Sequence, residues 1–409
     1  MPHENRTESG LPLAGLRVID AGQFIAGPVC GALLADLGAD VIRIERPRGN
    51  ADRYVTPLDR SMPDVGAMFA FANRNKRSLA IDFGDEAARG IVERLVGRSD
   101  VVVANMPQRT LEKLRLDLPQ LRAINPQIIL SNITAYGNEG PWVGRSGFDG
   151  MAQAMSGAMH LSGEGGEPRK SYVHFVDYYA GALAAIGVLA SLVERSATGT
   201  GRKVDTSLLA SSMMMMNSVL AEEAVLQTNR VGTGNRAQTG GPADVFDTSD
   251  GKIIIQVLGN PKFALLCKLI GRESLASDPR FATDNLRGEN SESLNEYVQE
   301  WCIGMTSVEC VDRLNEAGLC AAPVLTPLQA LDHPQVRNHS SRHDVIYEKA
   351  GIEVPVFLPI STDDGRLPAS RPAPRLGADS RSIMEELGYS PAEIDEFAES
   401  GIIAEAGCG

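Results

Sequence analysis

The stretch from His174 to Arg195, HFVDYYAGALAAIGVLASLVER, sets one acid, Asp177, at the head of an apolar run that carries no further charge until Glu194. An acid in that place can do two things. As an N-terminal cap, its carboxylate accepts backbone N–H groups, complements the helix dipole and contributes about 1 kcal/mol. Kept ionised by the same helix end and aimed outward, it is a nucleophile. Local pattern carries both readings. A second candidate group is basic: Arg74, Lys76 and Arg77, in NRNKR, stand just before a strand-like segment, a position suited to phosphate groups or simply to solvent. Gly22, Gly27 and Gly31 surround the first turn, where a helix N-terminus can receive an anion, but their spacing is not G-x-G-x-x-G. Glu45 ends the next strand-like segment, where a nicotinamide-dependent dehydrogenase keeps its ribose-binding acid; the missing glycine fingerprint argues against that chemistry.

Other chemistries are disfavoured by composition. The six cysteines and six histidines show no metal-ligand spacing, so no metal site is expected, and the thiols read as reduced in a cytoplasmic setting. A net charge of -13 and a pI near 5.1 argue against a general nucleic-acid binder. One anionic ligand remains compatible, because a local basic cluster can oppose the overall field. The first ten residues are polar and read as no leader. The run after Asp177 is broken by Gly181 and Gly187 and reads as a buried helix, not a membrane span.

Elements must then position these groups. At 409 residues two or three domains are expected. RVID, DVIRIE, SLAIDF, DVVVANM and QIILSNIT read as strands alternating with helices, including one continuous helix over 108–124. That alternation predicts a doubly wound, Rossmann-like α/β domain over 1–224. A smaller α/β domain is expected over 225–325. The remainder, 326–409, has short strands, the Pro-rich stretch 366–377 and a last helix at 380–387, and is expected to pack back on the first domain. Met213 to Met216 read as core filler.

In order, length and spacing, these segments resemble the class III CoA-transferase family, which includes formyl-CoA transferase and the carnitine CoA-transferases. The elements are LAGLRVIDAGQFIAGPVCGALLADLGADVIRIERP, NRNKRSLAIDF, DVVVANM, GFDGMAQAMSGAMHLSGEGGEP, VDYYAGALAAIGVLASLVER and GTGRKVDTSLL. The resemblance implies a two-domain subunit in an interlocked homodimer, with Asp177 as nucleophile. It implies acyl-CoA and a carboxylic acid as substrates, with no tightly bound cofactor, ATP or metal. For CoA it points to Arg46, to Arg74, Lys76 and Arg77, to Asn105 and to Lys113. The family's N-F-R-P-G is NMPQR here, which moves an arginine's role to Arg109 or removes it. Ile25 stands where formyl-CoA transferase keeps a glutamine beside the active carboxylate. Gly232, Gly234, Gly240 and Gly241 fall where the family has a mobile loop over the site, or form a plain linker. The α-methylacyl-CoA racemases resemble the chain too, but their proton-carrying His is Phe148 here; His174 or His160 would have to replace it. A non-catalytic CoA-binding protein is a further alternative, which the intact Asp177 disfavours.

Overall fold

The structure, a computed structural model, describes residues 10–348, 350–360 and 371–406. Cys408 and residues 366–370 of the Pro-rich stretch lie outside them. The chain divides into two units. The first holds residues up to Ser156, Tyr172–Ala224 and those from His339 onward; the second holds Gly157–Ser171 and Val225–Asn338. The second therefore includes 157–171, a stretch that the sequence reading assigns to the first domain.

The first unit begins with β1 (Arg17–Asp20), α1 (Ala26–Asp36), β2 (Asp40–Glu45), β3 (Arg77–Ile81), α2 (Arg89–Gly97) and β4 (Val101–Ala104). Next come α3 (Gln108–Leu114), α4 (Leu118–Ile124), β5 (Ile129–Thr134), α5 (Asp149–Met155), α6 (Phe175–Thr198), β6 (Lys203–Ser207) and α7 (Leu208–Met215). The strands β3-β2-β1-β4-β5-β6, in that order, form a parallel sheet. It is apolar on both faces because helices cover both. Ile19, Ile42, Leu79, Val102 and Leu130 enter one core, whereas Val18, Val41, Val101, Val103 and Ile129 enter the other. Neighbouring residues of a strand thus feed opposite cores, as a period of two requires.

α6 belongs to the second of these cores, through Val176, Ala180, Ala184 and Val188. Gly181 explains how close it lies to α1: a Cβ there would come within 2.7 Å of the Ala26 carbonyl oxygen. That close approach sets Asp177, one turn earlier, beside the β1–α1 loop. The helix ends at Gly199, which is left-handed and donates its N–H to Arg195 O.

The expected helix over 108–124 is two. Arg115 is left-handed at φ 58°, Leu116 turns inward, and Pro119 starts the next helix within its first turn. Met213, Met214 and Met215 are exposed in this chain rather than in a core, which corrects the filler reading; the buried face of α7 is Leu208, Ser211 and Ser212.

The second unit has an antiparallel sheet of β7 (Ala243–Asp247), β8 (Lys252–Gln256) and, after α8 (Asn260–Leu269), α9 (Ser291–Cys302) and α10 (Ser307–Glu316), β9 (Cys320–Pro323). Phe246, Ile253, Ile255, Leu266, Val298 and Leu314 make its core. β7 was not anticipated, because the glycines before it read as loop. Back in the first unit, α11 (Ser380–Glu386) and α12 (Pro391–Glu399) cover one sheet face, and β10 (Ile403–Ala404) adds an antiparallel edge to β3. α12 and β10 are further elements that the sequence reading did not anticipate.

Candidate active site

The carboxyl ends of β1, β2, β4 and β5 open into a cavity of about 610 Å³ that Asp177 lines together with Phe24, Ile25, Asn105, Phe148 and Leu208. Asp177 is the third residue of α6 and is 8% exposed. It does not cap its helix. The free N–H groups of Val176 and Asp177 instead donate to the Asp149 carboxylate, at 2.8 and 3.2 Å. Asp149 is buried in α5, and the Gln153 amide donates to its other oxygen. Among the described residues no hydrogen bond to the Asp177 carboxylate is found. Burial first, and then the Asp149 charge, push it up to about 7. The expectation of a carboxylate kept ionised by the helix end is therefore reversed: the helix end is occupied by another acid. A carboxylate whose pKa is raised is a more basic and more nucleophilic oxygen once ionised. The capping acid went unrecognised in the sequence because it lies 28 residues upstream. The signal, an acid in the first turn of a short helix in GFDG, was present but points at no partner.

The cavity wall at the β1–α1 loop is held by a buried set of charges. Asp20 accepts from Gly22 N–H at 2.9 Å and from Lys76 Nζ at 2.7 Å, and Lys76 also donates to Pro28 O and to Asn73. Arg43 reaches Asp52 at 2.8 Å and the Gly22 carbonyl, and Asp52 accepts from Phe24 N–H at 3.0 Å. Glu45 pairs with Arg43 and Arg53. Phe24 is thereby fixed in the left-handed region, φ 61°, a strained conformation for a bulky side chain. Its ring meets that of Phe148 edge to face at 5.6 Å.

This corrects the placement of the basic cluster. Lys76 is buried, and burial, against the opposing pull of Asp20, brings it down to about 8. Arg74 is buried on Asp36 and stacks on Phe71. Arg77 pairs with Asp40 and Glu386. Their charges are neutralised within the fold, and none of the three lines the Asp177 cavity. Arg46 and Lys113 do line it, are exposed, and have no carboxylate partner among the described residues. Asn105 lines it as well, with its amide exchanging two hydrogen bonds with the Gln23 backbone, at 2.8 and 2.7 Å. Asn132, absent from the sequence reading, does the same for Met106 at 3.2 and 3.0 Å. These two amides pin the neighbouring loops to each other. Arg109 opens instead onto a side pocket.

Phe148 lines the cavity and brings no exchangeable proton. His174 is the exposed N-cap residue of α6, and His160 lies in the second unit, hydrogen-bonded to Arg230 O. Within that unit Gly232 packs on the Gly163 carbonyl, and Gly241 O accepts from the Arg287 guanidinium.

The sequence model of CoA-transferase family III matches residues 13–380. The succinyl-CoA:mesaconate CoA-transferase of Haloarcula hispanica is 33% identical over 385 residues, covering 92% of this chain and 96% of its own. The succinate–glutarate CoA-transferase of Agrobacterium fabrum is 31% identical, covering 92% and 96%. Among solved structures, a CAIB/BAIF family protein from Brucella suis superposes with a TM-score of 0.82 at 33% identity, covering 92% of this chain and 99% of that one.

Proposed function

From the premise that this chain belongs to CoA-transferase family III and is a CoA-transferase, we propose that Asp177 carries the transfer covalently and that the acids exchanged are short dicarboxylic acids. The single observation behind the first part is a buried carboxylate that lines a cavity without a hydrogen bond from the described residues, at a helix end that another acid already caps. The printed names of the relatives support the second.

In this mechanism an Asp177 oxygen attacks the thioester carbon of the donor acyl-CoA. The C–S bond breaks, and the thiolate leaves with its electron pair. The thiolate then attacks Asp177 Cγ in the resulting anhydride, releasing the donor acid as a carboxylate and leaving an aspartyl-CoA thioester. The acceptor carboxylate attacks Cγ in turn and expels the thiolate. Thiolate attack on the acceptor's carbonyl carbon gives the new acyl-CoA and restores the Asp177 carboxylate. No net proton moves, so a Phe148 in the cavity wall without an exchangeable proton costs the reaction nothing. Arg46 and Lys113, which have no carboxylate partner among the described residues, serve the CoA phosphates. The apolar wall of Phe24, Ile25 and Phe148 keeps water from the anhydride.

The parallel order β3-β2-β1-β4-β5-β6 supports a Rossmann-like reading of the large unit. Exposed Tyr172, Ile186, Val193 and Met214 support burial of these faces in a homodimer. The covalent step is tested by incubating the enzyme with succinyl-CoA, trapping with hydroxylamine and mapping the modified residue by mass spectrometry. Label at Asp177 is expected. Full turnover by Asp177→Ala would end the proposal.

A further inference from the structure

Beside the Asp177 cavity lies a second pocket of about 240 Å³, whose inner wall of Asn105, Met106, Thr134 and Ala135 is also wall of the first. Two guanidinium residues line it: Arg109, in the first turn of α3, and Arg145, in the loop after β5. Neither has a carboxylate partner among the described residues, and no Asp or Glu lines the pocket. In a chain of net charge -13, two cations on one small pocket with no acid in its lining reverse the field locally. Arg145 is also held in place. Its guanidinium stacks 4.3 Å from the Trp142 ring centre, and that ring meets Tyr136 edge to face at 5.0 Å. A stacked guanidinium keeps its N–H edge free and pre-set for two parallel bonds to an oxyanion.

Position in the sheet separates Arg145 from Arg46, whereas Lys113 shares α3 with Arg109. Arg46 follows β2 on one side of β1, whereas Arg145 follows β5 on the other. The cavity and its side pocket therefore offer cations on two flanks, which suits substrates that carry anionic groups at separated points.

We propose that Arg109 and Arg145 form an oxyanion-binding side pocket of the Asp177 cavity, filled by an anionic group of the substrates: the far carboxylate of a dicarboxylic acyl group or a phosphate of CoA. The proposal rests on the reading of Asp177 as the reacting group, since it uses that cavity as the route to the pocket. Arg145 contributes the larger share, because its ring stack pre-orients it.

The test compares the wild-type enzyme with Arg145→Met, Arg109→Met and Arg145→Lys. KM is measured for succinyl-CoA, for glutarate and for its monocarboxylic analogue pentanoate, and Kd for free CoA by calorimetry. A far carboxylate in the pocket raises the glutarate KM about tenfold in Arg145→Met and leaves pentanoate and CoA unchanged. A CoA phosphate there raises the Kd of CoA about tenfold whichever acid is present. Arg145→Lys, which keeps the charge but loses the fork, falls between. All of these values within twofold of wild type, or a lowered melting temperature as the one change, would overturn the proposal. Hydroxylamine labelling of Asp177 is run on every variant. Label retained with unchanged constants defeats the side pocket alone, whereas an unlabelled wild type defeats the covalent reading independently.

Discussion

Two sets of cations lie within one unit of this chain and behave in opposite ways. Arg43, Arg53, Arg74 and Lys76 are buried, each against a carboxylate of the same chain, and together they fix the β1–α1 loop and the start of β3. Arg46, Arg109, Lys113 and Arg145 are exposed around the cavity and its side pocket, with no carboxylate partner among the described residues. The acids repeat the division at one helix end: Asp149 is engaged by three N–H donors, and Asp177, beside it, has none among the described residues. Charges that find partners hold shape. Charges that the fold leaves unanswered are the ones available to substrate.

The sharpest test exchanges the unanswered acid for a neutral isostere. Asp177→Asn should lower turnover by at least about a thousandfold, read by mass-spectrometric CoA exchange. It should also stabilise the protein. The folded carboxyl titrates at about 7 against an ordinary 3.8, so the wild type binds its proton more tightly when folded. Wild-type stability therefore falls as pH rises from about 4 to about 7, by on the order of 4 kcal/mol. Thermal melts should show the variant matching wild type near pH 4 and exceeding it above pH 7.

Breaking an answered pair should act on the fold instead. Lys76→Met leaves Asp20 facing Arg43 alone, at 3.6 Å, and should cost about 3–5 kcal/mol in urea unfolding. If it raised KM for acyl-CoA with stability intact, the division drawn above would fail.

Asp149 sits between the two classes. Asp149→Ala removes the cap of α6 and should lower kcat about a hundredfold by misplacing Asp177. Asp149→Asn keeps an acceptor oxygen but removes the charge that helps raise Asp177. The acid limb of its kcat/KM profile, near pH 7 in the wild type, should move to lower pH. The charge acting on Asp177 is that of Asp149 from α5; Tyr178, on its own helix, feels the Asp177 charge in turn, and Glu45, Arg46, Asp82 and Lys113 are the other charged residues lining the cavity.

The smallest effect belongs to the cavity cations. Arg46→Met and Lys113→Met should each raise KM for acyl-CoA about tenfold, the value of one charged hydrogen bond, while shifting stability by no more than about 0.5 kcal/mol.

The strands of the large unit were legible because both-face burial writes near-continuous apolar segments such as VVVA over 101–104. Asp177 was legible as a position, through its apolar run and the family resemblance, but its electrostatics were not. Those depend on Asp149, brought from another helix. The basic cluster misled for the same reason. Lys76 meets Asp20 from 56 residues away, Arg74 meets Asp36 from 38, and Arg77 meets Glu386 from 309. A charge in a sequence has no partner until the fold supplies one, so paired and spare cations look alike. Arg145 illustrates the converse, since nothing in GRSGFDG sets it apart from a solvated loop arginine. The exposure of Met213 to Met215 was hidden likewise, because apolar content does not say which face of a helix the fold covers.

The buried charges beneath the β1–α1 loop, Asp20, Glu45 and Asp52 with Arg43, Arg53 and Lys76, number three of each sign. Such a set can drift over generations only by coordinated replacement. Any single neutralisation strands an opposite charge in a dry interior, and the tolerated route is a simultaneous loss of both members of a pair. Relatives should therefore differ at Asp20 and Lys76 together or at neither. The cavity cations answer to no carboxylate among the described residues and are free to change one at a time as substrates change.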